Sequence, residues 1–321
     1  MQKIALIYMG GTFGCVGEPL MPMPEQKFLP ALKKVIPPHL DVECFAAPSI
    51  QDSSACTATD WLQLVQQIQQ LQLKNYQHFV IIHGTDTLSY AAATLARFLG
   101  HSCHAIITGS QYPLLNIEGN DTREFTDALS NLSLALEQVI QRPAGVYLAF
   151  HHQVFHAQTT LKVHTTELDA FAGKDANQTC KTTADYFIVQ NEHIEQAAQL
   201  SMLNLMLQPI GKEQLLSQLN NILAAPPNFL VLQGFGTGNI AVNDEILALF
   251  DALYHKQCLS IISTQVTFGQ LDQRYAVSAW IKSAKVLIND CHCHADLYAK
   301  VLQMYLKYPT HDQWFEHWQQ H

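Results

Sequence analysis

No stretch of this chain approaches the ~18 consecutive apolar residues that a membrane-spanning helix requires, so no membrane partner is expected. Charge is sparse. Only 14% of residues are charged, and the 27 acidic ones outnumber the 18 basic ones. A basic surplus or stripe is lacking, which argues against nucleic acid as a partner. It does not exclude an anionic ligand, because local groups decide that. Internal repeats and low-complexity segments are also missing, and 48% hydrophobic residues suit a well-buried globular protein rather than a disordered one.

A cysteine framework is absent as well. Cys15, Cys44, Cys56, Cys103, Cys180, Cys258, Cys291 and Cys293 are scattered, mostly inside apolar segments. That favours free thiols in a reducing compartment. The apolar opening, Met1–Gly10, is broken by Gly10-Gly11 and reads as a buried strand rather than a secretory signal. A cytoplasmic location is the expectation.

Short apolar runs alternate with longer amphipathic ones. Strands are predicted at Lys3–Tyr8, Asp41–Phe45, His78–Ile82, His104–Thr108 and Val146–Phe150. Helices are predicted at Trp61–Leu71, Leu88–Leu99 and Ala128–Val139. This is the pattern of an α/β fold, a mostly parallel sheet covered by helices joined through right-handed crossovers. The pattern loosens from 191 to 212, ending in Pro209-Ile210-Gly211, which suggests a linker. A second alternation follows, with helices at Gln214–Leu223, Asp244–Tyr254 and Ala295–Leu306, and strands at Phe229–Leu232 and Leu259–Ser263. The expected organisation is a larger N-terminal domain over 1–190, a linker over 191–212 and a smaller C-terminal α/β domain over 213–321.

The residues just past each strand carry the chemistry. Gly10-Gly11-Thr12 follows the first, Asp52-Ser53-Ser54 the second, His83-Gly84-Thr85-Asp86 the third, Gly109-Ser110-Gln111 the fourth, and Gly236-Thr237-Gly238-Asn239 the first C-terminal strand. In open parallel sheets, ligands bind outside the carboxyl ends of the strands, and the helices that follow offer N–H groups to anions. Thr12 and Thr85 are candidate nucleophiles. A threonine hydroxyl needs a base or relay. Lys162 with Asp86 can supply one, provided desolvation offsets the preference of a lysine beside a carboxylate for its charged form; otherwise lysine only positions the hydroxyl. Each tip taken singly also reads as a tight turn or a helix cap.

Taken together, these residues resemble the L-asparaginase family. Tyr8-Met9-Gly10-Gly11-Thr12-Phe13-Gly14 is similar to its first signature, and Ile82-His83-Gly84-Thr85-Asp86-Thr87-Leu88 to its second, more specific one. Asp52-Ser53-Ser54 with Thr57 and Asp60-Trp61 resembles the substrate-grasping loop of the type I, cytoplasmic branch. Gly109-Ser110-Gln111, Pro113, Asp127, Asn131, Thr160, Lys162, Asp169-Ala170-Phe171, Gly236, Gly238, Asn239 and Thr264-Gln265 also fit. The resemblance runs from about residue 1 to 270. It implies a flavodoxin-like smaller domain and hydrolysis of L-asparagine to L-aspartate and ammonia. Thr12 would attack, while Thr85, Asp86 and Lys162 complete the catalytic set. Asp52, Ser53, Ser54, Thr85, Asp86 and Asn239 would bind the amino acid. No cofactor or metal is implied. A homodimer or homotetramer is, with Asn239 of a neighbouring copy finishing the site.

Four departures accompany it. Leu20 or Met21 stands roughly where the family has a loop tyrosine that helps activate the hydroxyl. The segment Leu114–Thr126 is longer, Tyr275-Ala276-Val277-Ser278 replaces a glycine region, and an expected acidic residue is replaced around Cys291-His292-Cys293-His294. The missing phenol motivates an alternative, an inactive relative that binds an amino acid as sensor or scaffold. Another is a glutaminase or an amide hydrolase on a larger substrate. The transfer-RNA amidotransferase branch ranks last, because it carries an additional N-terminal domain without a counterpart here. Trp314, Phe315 and Trp318 read as an amphipathic tail packing on the body or on a neighbouring subunit. The Cys291–His294 run lacks the paired spacing of a tetrahedral zinc site. Protein purified without an affinity resin is therefore expected to carry far less than one zinc per chain by elemental analysis; one zinc per chain would contradict that reading.

Overall fold

The computed structural model describes residues 2–269, 271–272 and 276–318. Tyr275 and the side chains of Ala276–Ser278 lie outside the description. Two compact units make up the chain, Met1–Ala198 and Gln199–His321.

The first unit opens with β1 (Lys3–Gly10), whose seven residues after Lys3 are all buried and whose last, Gly10, is followed by a second glycine. A small ladder follows, β2 (Cys15–Val16) with β3 (Met21–Pro22), then α1 (Glu25–Lys34) and β4 (Asp41–Gln51). Next come α2 (Ala58–Gln72), β5 (His78–Ile82), α3 (Leu88–Leu99), β6 (His104–Thr108), α4 (Ala128–Gln141), β7 (Gly145–Phe150) and β8 (Gln153–His156). The sheet order is β4-β1-β5-β6-β7-β8, parallel except for the final hairpin pair. The chain leaves β1 toward β4, then crosses to β5 on the other side. The end of β1 is thus a topological switch point, where such sheets open a crevice. Ile4, Leu6, Tyr8, Val80, Ile82 and Ile106 pack one face against α1 and α4.

Local chemistry explains the element ends. The Asp60 carboxylate accepts from both the N–H and the hydroxyl of Thr57, 2.8 Å each, which starts α2 three residues before the apolar pattern does. The strand expected over Asp41–Phe45 runs on to Gln51. It is an edge strand, so Pro48 is tolerated within it. After the hairpin, β9 (Leu161–Lys162) pairs with β10 (Phe171–Ala172) and carries Lys162.

Residues 191–212, expected as the linker, contain the division between the two units and also hold regular structure. They hold α5 (Asn191–Ala197), within the first unit, and β11 (Met202–Met206), within the second. The helix is too short to display a period, and β11 is a half-exposed edge strand whose side chains do not advertise a core.

The second unit has a four-stranded parallel sheet, β11 with β12 (Phe229–Gly234), β13 (Leu259–Thr264) and β14 (Val286–Ile288). Helices α6 (Lys212–Ala224) and α7 (Asp244–His255) contribute Leu219, Ile246, Phe250 and Leu253 to its core. Helix α8 (His294–Lys307) and the short α9 (His311–His317) close it. The C-terminal aromatics pack on this unit: Trp314 meets Phe229 and Tyr305, and the Trp318 indole donates to the Ile288 carbonyl at 2.8 Å. Cys291 and Cys293 are buried in the turn before α8, and among the described residues no group of three His, Cys, Asp or Glu is arranged to hold a metal ion. No helix among them is long and apolar enough to cross a membrane.

One close approach controls where the strand tips meet. Gly11, at φ +81°, presses its backbone on Gly84, so a Cβ at Gly11 would overlap the Gly84 Cα. The obstacle is backbone and cannot swing aside. Gly11→Ala is therefore expected to lower stability by about 1–3 kcal/mol, with a corresponding fall in the urea midpoint; an unchanged midpoint would show that the tips are not in contact.

Candidate active site

Three strand tips converge. Gly11 follows β1 and touches Gly84, which follows β5. A Cβ on Gly84 would in turn fall 2.5 Å from the Ser53 hydroxyl, at the tip of β4. Thr12 and Thr85 each come directly after one of the abutting glycines. Thr12 opens a 3-10 turn over Thr12–Gly14 and is half-buried, with no side-chain hydrogen bond to its hydroxyl among the described residues. Thr85 is buried, and its Oγ1 accepts a 2.9 Å hydrogen bond from Lys162 Nζ.

Lys162 Nζ also lies 3.3 Å from Asp86 Oδ1. The lysine side chain is 20% exposed and the aspartate side chain 59%. An ion pair this wet contributes only about 0.2–1 kcal/mol, so its consequence is orientation rather than stability. Three of the four candidate catalytic residues, Thr85, Asp86 and Lys162, are therefore joined by hydrogen bonds. The fourth, Thr12, is brought alongside through the glycine contact.

The β4 tip divides its labour. Asp52 accepts from the Ser54 N–H at 2.8 Å and the Ser54 hydroxyl at 2.6 Å, capping the short turn Ser53–Ala55. Those bonds hold its carboxyl below the ordinary aspartate value. Ser53 is buried; its hydroxyl accepts from the Asp86 N–H at 3.3 Å and its carbonyl from the Thr87 hydroxyl at 2.7 Å. So Asp52 and Ser54 engage each other, while Ser53 ties the β4 tip to the β5 tip. Asn239 belongs to the second unit, in a turn where its Nδ2 donates to Thr237 Oγ1 at 3.3 Å. In the loop expected to lack a phenol, Leu20 is 49% exposed and Met21 64%, with no acid or base on either side chain.

His83 was passed over as a functional residue. The Trp61 indole donates to its Nε2 at 3.1 Å, and its Nδ1 lies 2.8 Å from the Gly84 carbonyl. An indole only donates and a carbonyl only accepts, so the proton sits on Nδ1. The neutral ring thereby anchors the peptide between Gly84 and Thr85. Burial pushes its pKa down from 6.5 to about 4. A histidine opening a strand tip, 22 residues after a helix tryptophan, was the available signal, but only the fold joins the two.

The Asparaginase, N-terminal family model matches residues 3–195, over half of the chain. The chain belongs to the asparaginase family. It is 26% identical over 293 residues to L-asparaginase 1 of Escherichia coli strain K12, covering 85% of this chain and 82% of that protein. L-asparaginase I from Vibrio cholerae O1 biovar eltor superposes with a TM-score of 0.78 at 22% identity, covering 100% of this chain and 98% of that one. The thermostable L-asparaginase from Thermococcus kodakarensis gives a TM-score of 0.80 at 19% identity, over 98% and 96% of the two chains. Both structures share the larger and smaller parallel-sheet architecture.

The His83 pKa has a consequence for stability. Because the folded value is depressed, the unfolded chain takes up a proton first. The stability contribution of neutral His83 is complete above pH 6.5 and is lost as pH falls toward about 4. Urea midpoints are expected to fall across that window, and to fall less steeply in His83→Gln. His78, His294 and His311, also pushed down by burial, keep the slope from vanishing. An identical slope in the variant would contradict a buried neutral His83.

Proposed function

We propose that this amidohydrolase converts L-asparagine to L-aspartate and ammonia through a threonine acyl-enzyme. The observation that carries the reading is Lys162 Nζ at 2.9 Å from Thr85 Oγ1, on a tip whose Gly84 is pressed against Gly11. Two threonines from separate crossover units thus follow directly on the abutting glycines, and one of them already has a lysine partner.

In this reading the Thr12 hydroxyl attacks the side-chain amide carbon, its proton leaves with the amine as ammonia, and an aspartyl ester remains. Backbone N–H groups near Gly11 and Thr85 receive the oxyanion; such donors typically supply about 3 kcal/mol each. Water then attacks the ester. Lys162, acting in its neutral form, draws a proton from that water through the Thr85 hydroxyl, and Asp86 holds the resulting ammonium. That ammonium returns the proton through Thr85 to the Thr12 oxygen as aspartate departs. Ser53, with Asp52 and Ser54 shaping its loop, receives the substrate α-carboxylate, and Asp86 the α-ammonium. We further propose a symmetric homodimer or homotetramer in which Asn239 of a neighbouring copy completes the pocket.

Asparagine and glutamine differ by one methylene, worth about 1–3 kcal/mol in a fitted pocket, so both belong in the test. Coupled ammonia detection is expected to register turnover of asparagine, reduced at least ~1,000-fold in Thr12→Ala and in Thr85→Ala. Wild-type protein inert toward both amides, yet thermally stabilised by aspartate, would overturn hydrolysis in favour of a binding protein.

A further inference from the structure

Gln111, on the tip after β6, has no part in the steps above, yet it is one of the most firmly held residues at the sheet edge. The Asp127 carboxylate accepts from the Gln111 N–H and from the Tyr112 N–H, 2.9 Å each. Asp127 is itself held by Asn131 Nδ2 at 3.1 Å, and the same fully buried amide donates to the Gly109 carbonyl at 3.0 Å and accepts from the His151 N–H at 2.9 Å. A tip fixed on both sides presents its side chain from a rigid base.

That side chain reaches in two directions. Its Nε2 donates to the Thr165 carbonyl at 3.2 Å and to the Glu167 carbonyl at 2.9 Å. Both belong to the turn between β9 and β10, which begins at Lys162. Two carbonyls only accept, so the amide nitrogen must face them and the amide oxygen must face away. The oxygen lies 3.5 Å from Thr85 Oγ1, with the threonine hydroxyl as donor. Thr85 therefore has an acceptor for its proton on one side and the lysine on the other. Asp86 pairs with Lys162 and Asp127 holds the Gln111 backbone, while His164, Glu167 and Asp169 are the titratable residues of the lysine-bearing turn.

We propose that Gln111 is a positioning residue for the Thr85–Lys162 pair: its amide oxygen sets the rotamer of the Thr85 hydroxyl while its amide nitrogen clips the lysine-bearing turn. The inference rests on the hydrolase reading for its consequence, though not for its geometry. Misplacing a proton carrier costs rate without weakening substrate binding.

The test uses the full-length chain as wild type, Gln111→Met and Gln111→Glu, with asparagine kinetics, pH profiles and amide hydrogen exchange over residues 163–170. In Gln111→Met, kcat is expected to fall on the order of tenfold while KM stays within about twofold, and the 163–170 amides to exchange faster. In Gln111→Glu a further carboxylate faces Lys162 and favours its ammonium form, so the rising limb of the kcat profile moves to higher pH. Wild-type kcat and unchanged exchange in Gln111→Met would overturn the inference. So would parallel losses of kcat, KM and thermal stability in both variants with no displacement of the pH profile. Inert wild type would remove the hydrolase reading alone. Exchange would then still decide the clip: faster in Gln111→Met upholds it, unchanged sinks it.

Discussion

Backbone contact between Gly11 and Gly84 is the constraint on which the site depends. It lies outside β1, where the chain order of the sheet reverses, and it admits no side chain on either partner. The two tips are locked in register by the parallel pairing of β1 with β5, from Ile4 opposite His78 to Tyr8 opposite Ile82. Each threonine therefore inherits its place from a buried strand. Two threonines carried on fixed backbone suit the proposed acyl transfer, which gains from reacting groups held in place.

Electrostatics completes what the backbone begins. The Lys162–Asp86 pair is too exposed to stabilise the fold much, but its cation stands beside a buried hydroxyl. The neutral His83 is the opposite case. It is wholly buried and its two ring nitrogens are both engaged, so it fixes the peptide that carries Thr85. Asp127 and Asn131 do the same for the neighbouring tip. Each of these buried polar atoms has at least one partner, as burial demands.

Much of this was legible in the residues. β5, β6 and α3 were bounded correctly because an apolar run or stripe ends sharply at a turn residue in each. The end of β4 was not, because Pro48 reads as a breaker unless the strand is known to lie at an edge. β11 was missed because edge strands carry a weak pattern. At the site, Gly-Gly-Thr and His-Gly-Thr-Asp are visible as motifs, and Lys162 stands out as the lone lysine between Ala157 and Leu168. The Trp61–His83 bond and the Gln111 clip were not visible. They join residues whose proximity exists only after the sheet has ordered its strands. Asp52 illustrates the converse: its type and place suggested substrate contact, yet its carboxylate engages its own loop through Ser54.

In the proposed reaction Thr12 bears the acyl group while Thr85 serves water. Mass spectrometry of Thr85→Ala protein after exposure to asparagine tests it most directly. The account predicts an aspartyl ester on the peptide containing Thr12, formed slowly and not discharged. An adduct on another residue, or turnover by Thr85→Ala at the wild-type rate, would contradict it.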